Sequence, residues 1–421
     1  MKAATFLPLL VLSGVAYAQN STNTTSVAGL VGALSAAGLT QLIQVASTLN
    51  GTSEGQQLLS NITNGAPYLV FAPNNDAWQN APSNVTGNIT LLAGYFSYHI
   101  VPGNFTQAST IYPNVTLGET LYRDPSLTTV HLEGGKPEVV AWAVRGDNKT
   151  HVLNQRNDSI VVNQTTFGNL TIFVVDHFLT IPETLEATIP TDNSSLTGFE
   201  TLLRSTQVEY LNSTTNQTSN VSFFDALNTR YSGYTLFVPN TSAIDAANSI
   251  LQSLASNTTA VNNVLFNHWI NGSTIYSPLL TGSSNYTSAA GEPLSFHINS
   301  TGQYVTSGNV TALIIQPDVL LPNGVVHIID TVLVNTDSDS SAASSAISSA
   351  ASVATQTTAS QTVPIGFSQT ESLGGPSCTA SSGNGGSGSG GSSGAMSLSA
   401  AGKGFVIAVA GVLVGGWMTV S

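Results

Sequence analysis

Seven histidines, 22 acidic residues and one cysteine are the side chains of this 421-residue chain best suited to hold a metal or move a proton. A zinc site on a helix needs two histidines one turn apart, as in H-E-x-x-H. None of His99, His131, His151, His177, His268, His297 and His327 has that spacing. Glycoside chemistry needs two carboxylates at a set separation, and no convincing pair stands out. Gly390-Gly391-Ser392-Ser393-Gly394 has the letters of a nucleophile elbow. It lies in a Ser/Gly tract without the strand and helix that an elbow requires. No Gly-rich phosphate loop follows a strand. No catalytic residue, cofactor or metal ligand is assigned, and the reading is non-enzymatic. Arg145-Gly146-Asp147 is of another kind, because it places a guanidinium and a carboxylate across a glycine. Lying between Val139–Val144 and His151–Leu153, it fits a hairpin tip. It is either a ligand for an integrin-like receptor or an ordinary turn, since Gly and Asp are turn residues. Asn148-Lys149-Thr150 is a sequon touching the tripeptide, and a glycan there would hinder docking.

The elements that position these residues recur. Tyr68-Leu69-Val70-Phe71-Ala72-Pro73-Asn74 returns as Tyr234-Thr235-Leu236-Phe237-Val238-Pro239-Asn240. Tyr95 to Ile100 returns as Leu265 to Ile270, and Asn169 to Asp176 returns as Asn323 to Asp330. Three blocks in the same order make an internal repeat. The apolar runs ended by Pro-Asn predict buried strands and a turn, with Asn74 or Asn75, and Asn240 or Thr241, capping the helices that follow. Ile89, Leu92, Phe96 and His99 share a helical face, as do Val261, Val264, Leu265 and His268. Each histidine then stands at a helix C-terminus, where an imidazole can bond free carbonyls. Thr171–Val175 and Val325–Ile329 predict buried strands, with Asp176 and Asp330 bonding turn amides. Val27 to Leu49 predicts an amphipathic helix broken near Gly38, and the residues around Leu196 to Leu203 a shorter counterpart. Further strands are expected at Val139–Val144, Leu294–Ile298 and Ala312–Ile315. The mixture is α+β.

These blocks resemble the fasciclin (FAS1) domain. Leu69 to Trp78 and Thr235 to Ile244 are similar to its first motif, which carries Phe71, Pro73, Phe237 and Pro239. Tyr98-His99 and, more loosely, Asn267-His268 are similar to its Tyr-His motif. Asn323 to Asp330, with His327 and Asp330, is similar to its second motif. Asn169 to Asp176 follows it less closely, with Leu170 and Phe173 at the Gly and His positions. The resemblance implies two tandem fasciclin-like domains over 26–183 and 192–335, each a β-sandwich-like wedge flanked by helices. It also implies cell–cell or cell–matrix adhesion and, frequently, a glycosylphosphatidylinositol (GPI) anchor. Adhesion through Tyr98 and His99 transfers to the first repeat only, because Asn267 replaces the tyrosine in the second.

The ends and the composition set the expected compartment. Residues 1–18 have the charged start, apolar core and Ala-Tyr-Ala close of a signal peptide. From 336 to 394 the chain is rich in Ser, Thr, Ala and Gly, which predicts a disordered stalk carrying O-glycans. Residues 395–421 read as a GPI-attachment propeptide, with Ser393 as the attachment site and Asn384 as the alternative. A single-pass helix is the competing reading of the apolar tail. Only 7% of residues are charged, against about 25% in an ordinary domain. Roughly twenty N-x-[ST] sequons offer glycans as the solubilising layer. They include Asn61, Asn84, Asn88, Asn104, Asn114, Asn148, Asn163, Asn212, Asn257 and Asn285. A net charge of −13 argues against nucleic acid, and the lone Cys378 has no disulfide partner within the chain. The expected partners are a cell-surface or matrix protein or a wall polysaccharide, with the membrane reached through the lipid anchor. The expected location is the outer face of the plasma membrane or the cell wall, with a vacuolar membrane as the alternative.

Overall fold

The computed structural model describes residues 27–105, 113–124, 130–188, 197–212, 217–356 and 361–367. The signal peptide, the GPI propeptide, Ser393, Asn384 and Cys378 lie outside the described residues. The first unit runs α1 (Val27–Ala36), α2 (Thr40–Leu49), α3 (Ser53–Thr63), β1 (Tyr68–Pro73), α4 (Ser83–Thr86), α5 (Ile89–Tyr98), β2 (Ile100–Pro102), β3 (Thr116–Glu119), β4 (Val139–Val144), β5 (Thr150–Val152), β6 (Ser159–Phe167) and β7 (Leu170–Val175). The second runs α6 (Leu185–Thr188), α7 (Thr197–Ser205), β8 (Gln207–Asn212), β9 (Gln217–Ser222), α8 (Phe223–Thr229), β10 (Tyr234–Pro239), α9 (Thr241–Leu254), α10 (Thr258–Phe266), β11 (Trp269–Asn271), β12 (Asn285–Thr287), β13 (Pro293–Asn299), β14 (Gly302–Ser307), β15 (Val310–Leu321) and β16 (Gly324–Ile329), followed by α11 (Ser340–Ala354).

Each unit is built on a seven-stranded sheet of the same order, β2-β1-β7-β6-β5-β4-β3 and β11-β10-β16-β15-β14-β13-β12. The central pairs β1–β7 and β10–β16 are parallel, and the other pairings are antiparallel. The central strands are apolar throughout because both of their faces are buried. In β1, Tyr68, Val70 and Ala72 pack into the core under the helices, while Leu69 and Phe71 enter the core inside the wedge. β7 divides in the same way, with Ile172 and Val174 on the helix side and Phe173 and Val175 on the other. Register explains the loosened second motif of the first unit. Phe173 lies opposite Phe71 where His327 lies opposite Phe237. The ring pairs are 5.8 Å and 5.5 Å apart, so an aromatic ring fills the place in both units.

Helix starts follow from asparagine. Asn88, Asn240 and Asn257 accept amide bonds at the first turns of α5, α9 and α10. Asn74 accepts from the Ala77 amide, and Asn75 ties that turn to Gln41 and Thr40 of α2. The break between α1 and α2 falls at Gly38, whose φ is 75°. Asp176 and Asp330 do not bond turn amides as expected. They accept from Ile160 and Leu313, amides of the neighbouring strands β6 and β15.

The first part of the expected stalk is ordered, which corrects the 336–394 reading for its described residues. Alanine is the best helix former, and Asp339 caps α11 by accepting from the Ser341 and Ala342 amides. The Asp339 amide donates to Ala290 of the second unit at 2.8 Å. Residues 361–367 lie against the first unit. The Gln361 amide donates to Glu119 at 3.1 Å and the Ile365 amide to the Leu117 carbonyl of β3 at 2.9 Å. Composition misses this because the apolar surface that orders the segment belongs to the two units. Close approach is met by glycine, since the Thr362 backbone lies where a Cβ on Gly103 would stand, and Gly103 has a φ of 121°.

The two units share a buried boundary. Val115, Leu117, Val139 and Ala141 pack with Tyr276, Leu320 and Val325, and Ile365 closes the cluster. The His131 amide donates to the Pro322 carbonyl at 2.8 Å, and the Asn154 amide group to the Asp318 carbonyl at 2.6 Å. The Glu133 carboxylate accepts from the Thr274 amide at 3.2 Å and its hydroxyl at 2.7 Å.

Candidate adhesion surface and cleft

Tyr98 and His99 end α5 inside the protein, with 1% and 0% of their surface exposed. The Tyr98 hydroxyl donates to the Val139 carbonyl at 3.1 Å. His99 Nδ1 faces the Tyr95 carbonyl at 2.8 Å, and Nε2 accepts from the Leu179 amide at 3.0 Å. An imidazole that accepts at Nε2 carries its proton on Nδ1 and is neutral. Burial accordingly lowers the His99 pKa to about 4. His268 repeats this geometry with Val264 and Leu333, and its pKa is also lowered to about 4 by burial. The expected adhesive pair Tyr98-His99 is thus found buried, and in this fold neither side chain is exposed to a partner. Asn267 is equally buried. It donates to the Asn335 and Asp337 carbonyls, steering the chain toward α11, and accepts from Ser288. His327 accepts at Nδ1 from the Asp318 amide and donates at Nε2 to Ile275.

Arg145, Gly146 and Asp147 are exposed at the turn between β4 and β5, the expected hairpin tip. The Asp147 carboxylate is not idle. It accepts from the Lys149 amide and faces His151 Nε2 at 3.1 Å, while His151 Nδ1 faces Asp158 at 2.9 Å. The Lys149 amide, then His151, hold the Asp147 pKa below its usual value, and the bond to Asp158, then that to Asp147, raise the pKa of His151. An incoming cation must compete with that histidine for the carboxylate.

Asn84, Asn88, Asn104, Asn114, Asn148, Asn163, Asn257 and Asn285 are exposed, Asn61 is half-buried and Asn212 closes β8. Phe71, Pro73, Phe237 and Pro239 are buried in β1 and β10. Among the described residues no three His, Cys, Asp or Glu side chains gather as a metal cluster. Nor is any described helix long and apolar enough to cross a membrane.

Two features escape the sequence reading. One is the group of acids at the unit boundary. Glu138 is 1% exposed, has one carboxylate oxygen without a partner, and is pushed by burial, and secondarily by Glu133, to a pKa of about 8. Asp318 is fully buried, accepts from the Ser277 amide and hydroxyl, and is also raised by burial. The available signal is an acid abutting or interrupting an apolar run, as Glu138 does before Val139–Val144 and Asp318 does within β15. The other feature is a cleft of about 590 Å³ between the first unit, the linker 177–184, Ala187 of α6 and Pro322 of the second unit.

The family profile of the fasciclin domain matches residues 30–182 and 203–335. The chain belongs to the fasciclin family. A fasciclin-like arabinogalactan protein of Arthroderma benhamiae is 26% identical over 312 residues, a match covering 72% of this chain and 65% of that protein. The chain thus spans slightly under two thirds of that relative's length. Among solved structures, a FAS1 domain pair from the insect cell adhesion molecule fasciclin I matches 69% of this chain and 96% of its own, at 16% identity and a TM-score of 0.31. The two FAS1 units described above are the α+β repeats that the sequence blocks announce.

Proposed function

We infer that this fasciclin protein is a non-catalytic adhesion or wall-contact protein of the cell surface, exported by its leader and held by a GPI anchor. The observation that carries this reading is the joining of two FAS1 units into one body by a buried boundary. Such a body offers a broad, glycan-bearing outer surface as its working part. The relative described as a fasciclin-like arabinogalactan protein supports a place at the surface or wall. The partner is a surface or matrix protein or a wall polysaccharide.

The test is retention of beads coated with the full chain on intact cells, matrix and wall preparations. Retention on at least one, lost on competition with free protein, is the expected result; no retention on any of them rejects the reading. Release of the protein from intact cells by a phosphatidylinositol-specific phospholipase tests the anchor separately. Arg145→Ala separates the hairpin from the rest of the surface. Because Asp147 is tethered to His151, retention is expected to fall less than about threefold in this variant, and a larger loss would make the tripeptide the contact.

A further inference from the structure

The cleft continues across the unit boundary. A second cavity of about 210 Å³ shares Gln155, Arg156, Thr180, Ile181 and Glu183 with the first and reaches Gln316 and Val319 of β15. Together they form one groove running from α5 along the linker to the second unit. The geometry points to a binding site for an uncharged oligosaccharide in this groove, lying across both FAS1 units. The inference deepens the surface-contact reading and rests on it.

Three properties of the lining select that ligand. The polar side chains of the groove that could carry charge have partners: Arg156 pairs with Glu183 at 2.7 Å, and His177 Nδ1 faces Asp176 at 2.9 Å. A charged glycan or peptide would have to compete with the partner already beside each group. Next, the polar lining consists largely of amides and hydroxyls, among them Asn80, Asn157, Gln316 and Thr184. Such groups donate and accept together, as the adjacent hydroxyls of a sugar require. Finally, Tyr95 lines the groove half-buried, backed by Phe178 with ring centroids 6.1 Å apart. A fixed aromatic ring gives the C–H face of a sugar an apolar surface at low entropic cost.

The sugar has two possible sources. Asn157, exposed in the groove wall, begins the sequon Asn157-Asp158-Ser159. A glycan attached there would start inside the groove, so the occupant is either this glycan or a strand of wall polysaccharide.

The experiment uses the full chain, produced with N-glycans and, separately, without them. Each form is titrated with hexaoses of β-1,3-glucan, α-mannan and chitin, and with a polygalacturonate hexamer. The unglycosylated protein is expected to bind at least one uncharged hexaose. Tyr95→Leu should weaken that binding about tenfold. Thr184→Trp fills the groove from an exposed position and should abolish it. Thermal melts without sugar check that both variants fold; should Tyr95→Leu not fold, Thr184→Trp alone carries the test. If the glycosylated wild type binds nothing while glycosylated Asn157→Gln binds, the attached glycan is the natural occupant and the site stands. If both bind, the occupant is external. No binding of any uncharged hexaose by the unglycosylated protein, or binding of polygalacturonate alone, overturns the inference. The same holds if Thr184→Trp binds as the wild type does. Bead retention measured alongside keeps the readings apart, because retention without sugar binding rejects the groove and leaves adhesion in place.

Discussion

At the residue scale, the signature Tyr-His of the family reads here as an internal brace. His99 and His268 each join the last turn of a helix to a distant backbone amide, Leu179 in one unit and Leu333 in the other. Their folded pKa values of about 4 lie below the ordinary 6.5. Between those values the unfolded chain binds more protons than the folded one. The stability that the histidines contribute is full above pH 6.5 and is lost as pH falls toward 4. The expected slope is up to about 1.4 kcal/mol per pH unit for each histidine. Denaturant melts from pH 7 to pH 4 should show it, and His268→Phe should remove the share of the second unit. An unchanged slope in that variant would mean that His268 titrates normally. The sequence made the helix-end position of both histidines legible through the three-to-four spacing that precedes them. It did not reveal their burial, because Tyr98 meets Val139 across 41 residues of chain and the imidazole meets Leu179 across 80.

At the element scale, central strands and exposed connections were unequally legible. β1, β4, β7, β10 and β16 were announced by unbroken apolar runs, since each is covered over most of its length on both faces. β6 was not, because Ser159 to Phe167 leaves much of one side in water and carries Asn163, Gln164, Thr165 and Thr166. α11 was hidden for a different reason. Its 15 residues have no buried member, and what orders it is its cap, its alanines and the surfaces its ends reach. Ser344, Ser348 and Ser352 each bond the carbonyl one turn back, satisfying their hydroxyls within the helix. The crossing of Thr362 over Gly103 leaves no room for a side chain. Gly103→Ala combines that clash with a positive φ, and the expected cost is about 1–3 kcal/mol. Hydrogen exchange should show residues 361–367 losing protection while β1 and β10 keep theirs. Unchanged protection over 361–367 would show that the crossing tolerates the methyl group.

At the scale of the whole molecule, one buried acid, Glu133, ties the two units together. Glu133→Ala leaves the Thr274 amide and hydroxyl buried without their acceptor, at an expected cost of about 2–5 kcal/mol. The wild type is expected to melt in one transition and this variant in two, as seen by calorimetry; a single transition in the variant would mean that the apolar boundary suffices. Glu138 acts in the opposite sense to the histidines. Its pKa rises from 4.5 to about 8 on folding, so the folded state holds the proton more tightly between those values. The stability this represents is complete below pH 4.5 and lost as pH rises through about 8. Glu138→Gln should therefore gain on the wild type steadily from pH 5 to pH 8, by up to about 1.4 kcal/mol per unit.

The return of the chain to the first unit also decides where tension enters. Tension applied beyond residue 367 would pull on Ile365, whose amide hangs on Leu117 at the outer strand of the first sheet. Load arriving there meets the Ile365 and Gln361 bonds one after another, as in opening a zip, before it reaches the parallel pair β1–β7. Under such a pull, residues 361–367 would peel from the edge of the first sheet before the β1–β7 pair bore load, a sacrificial contact that spares the groove.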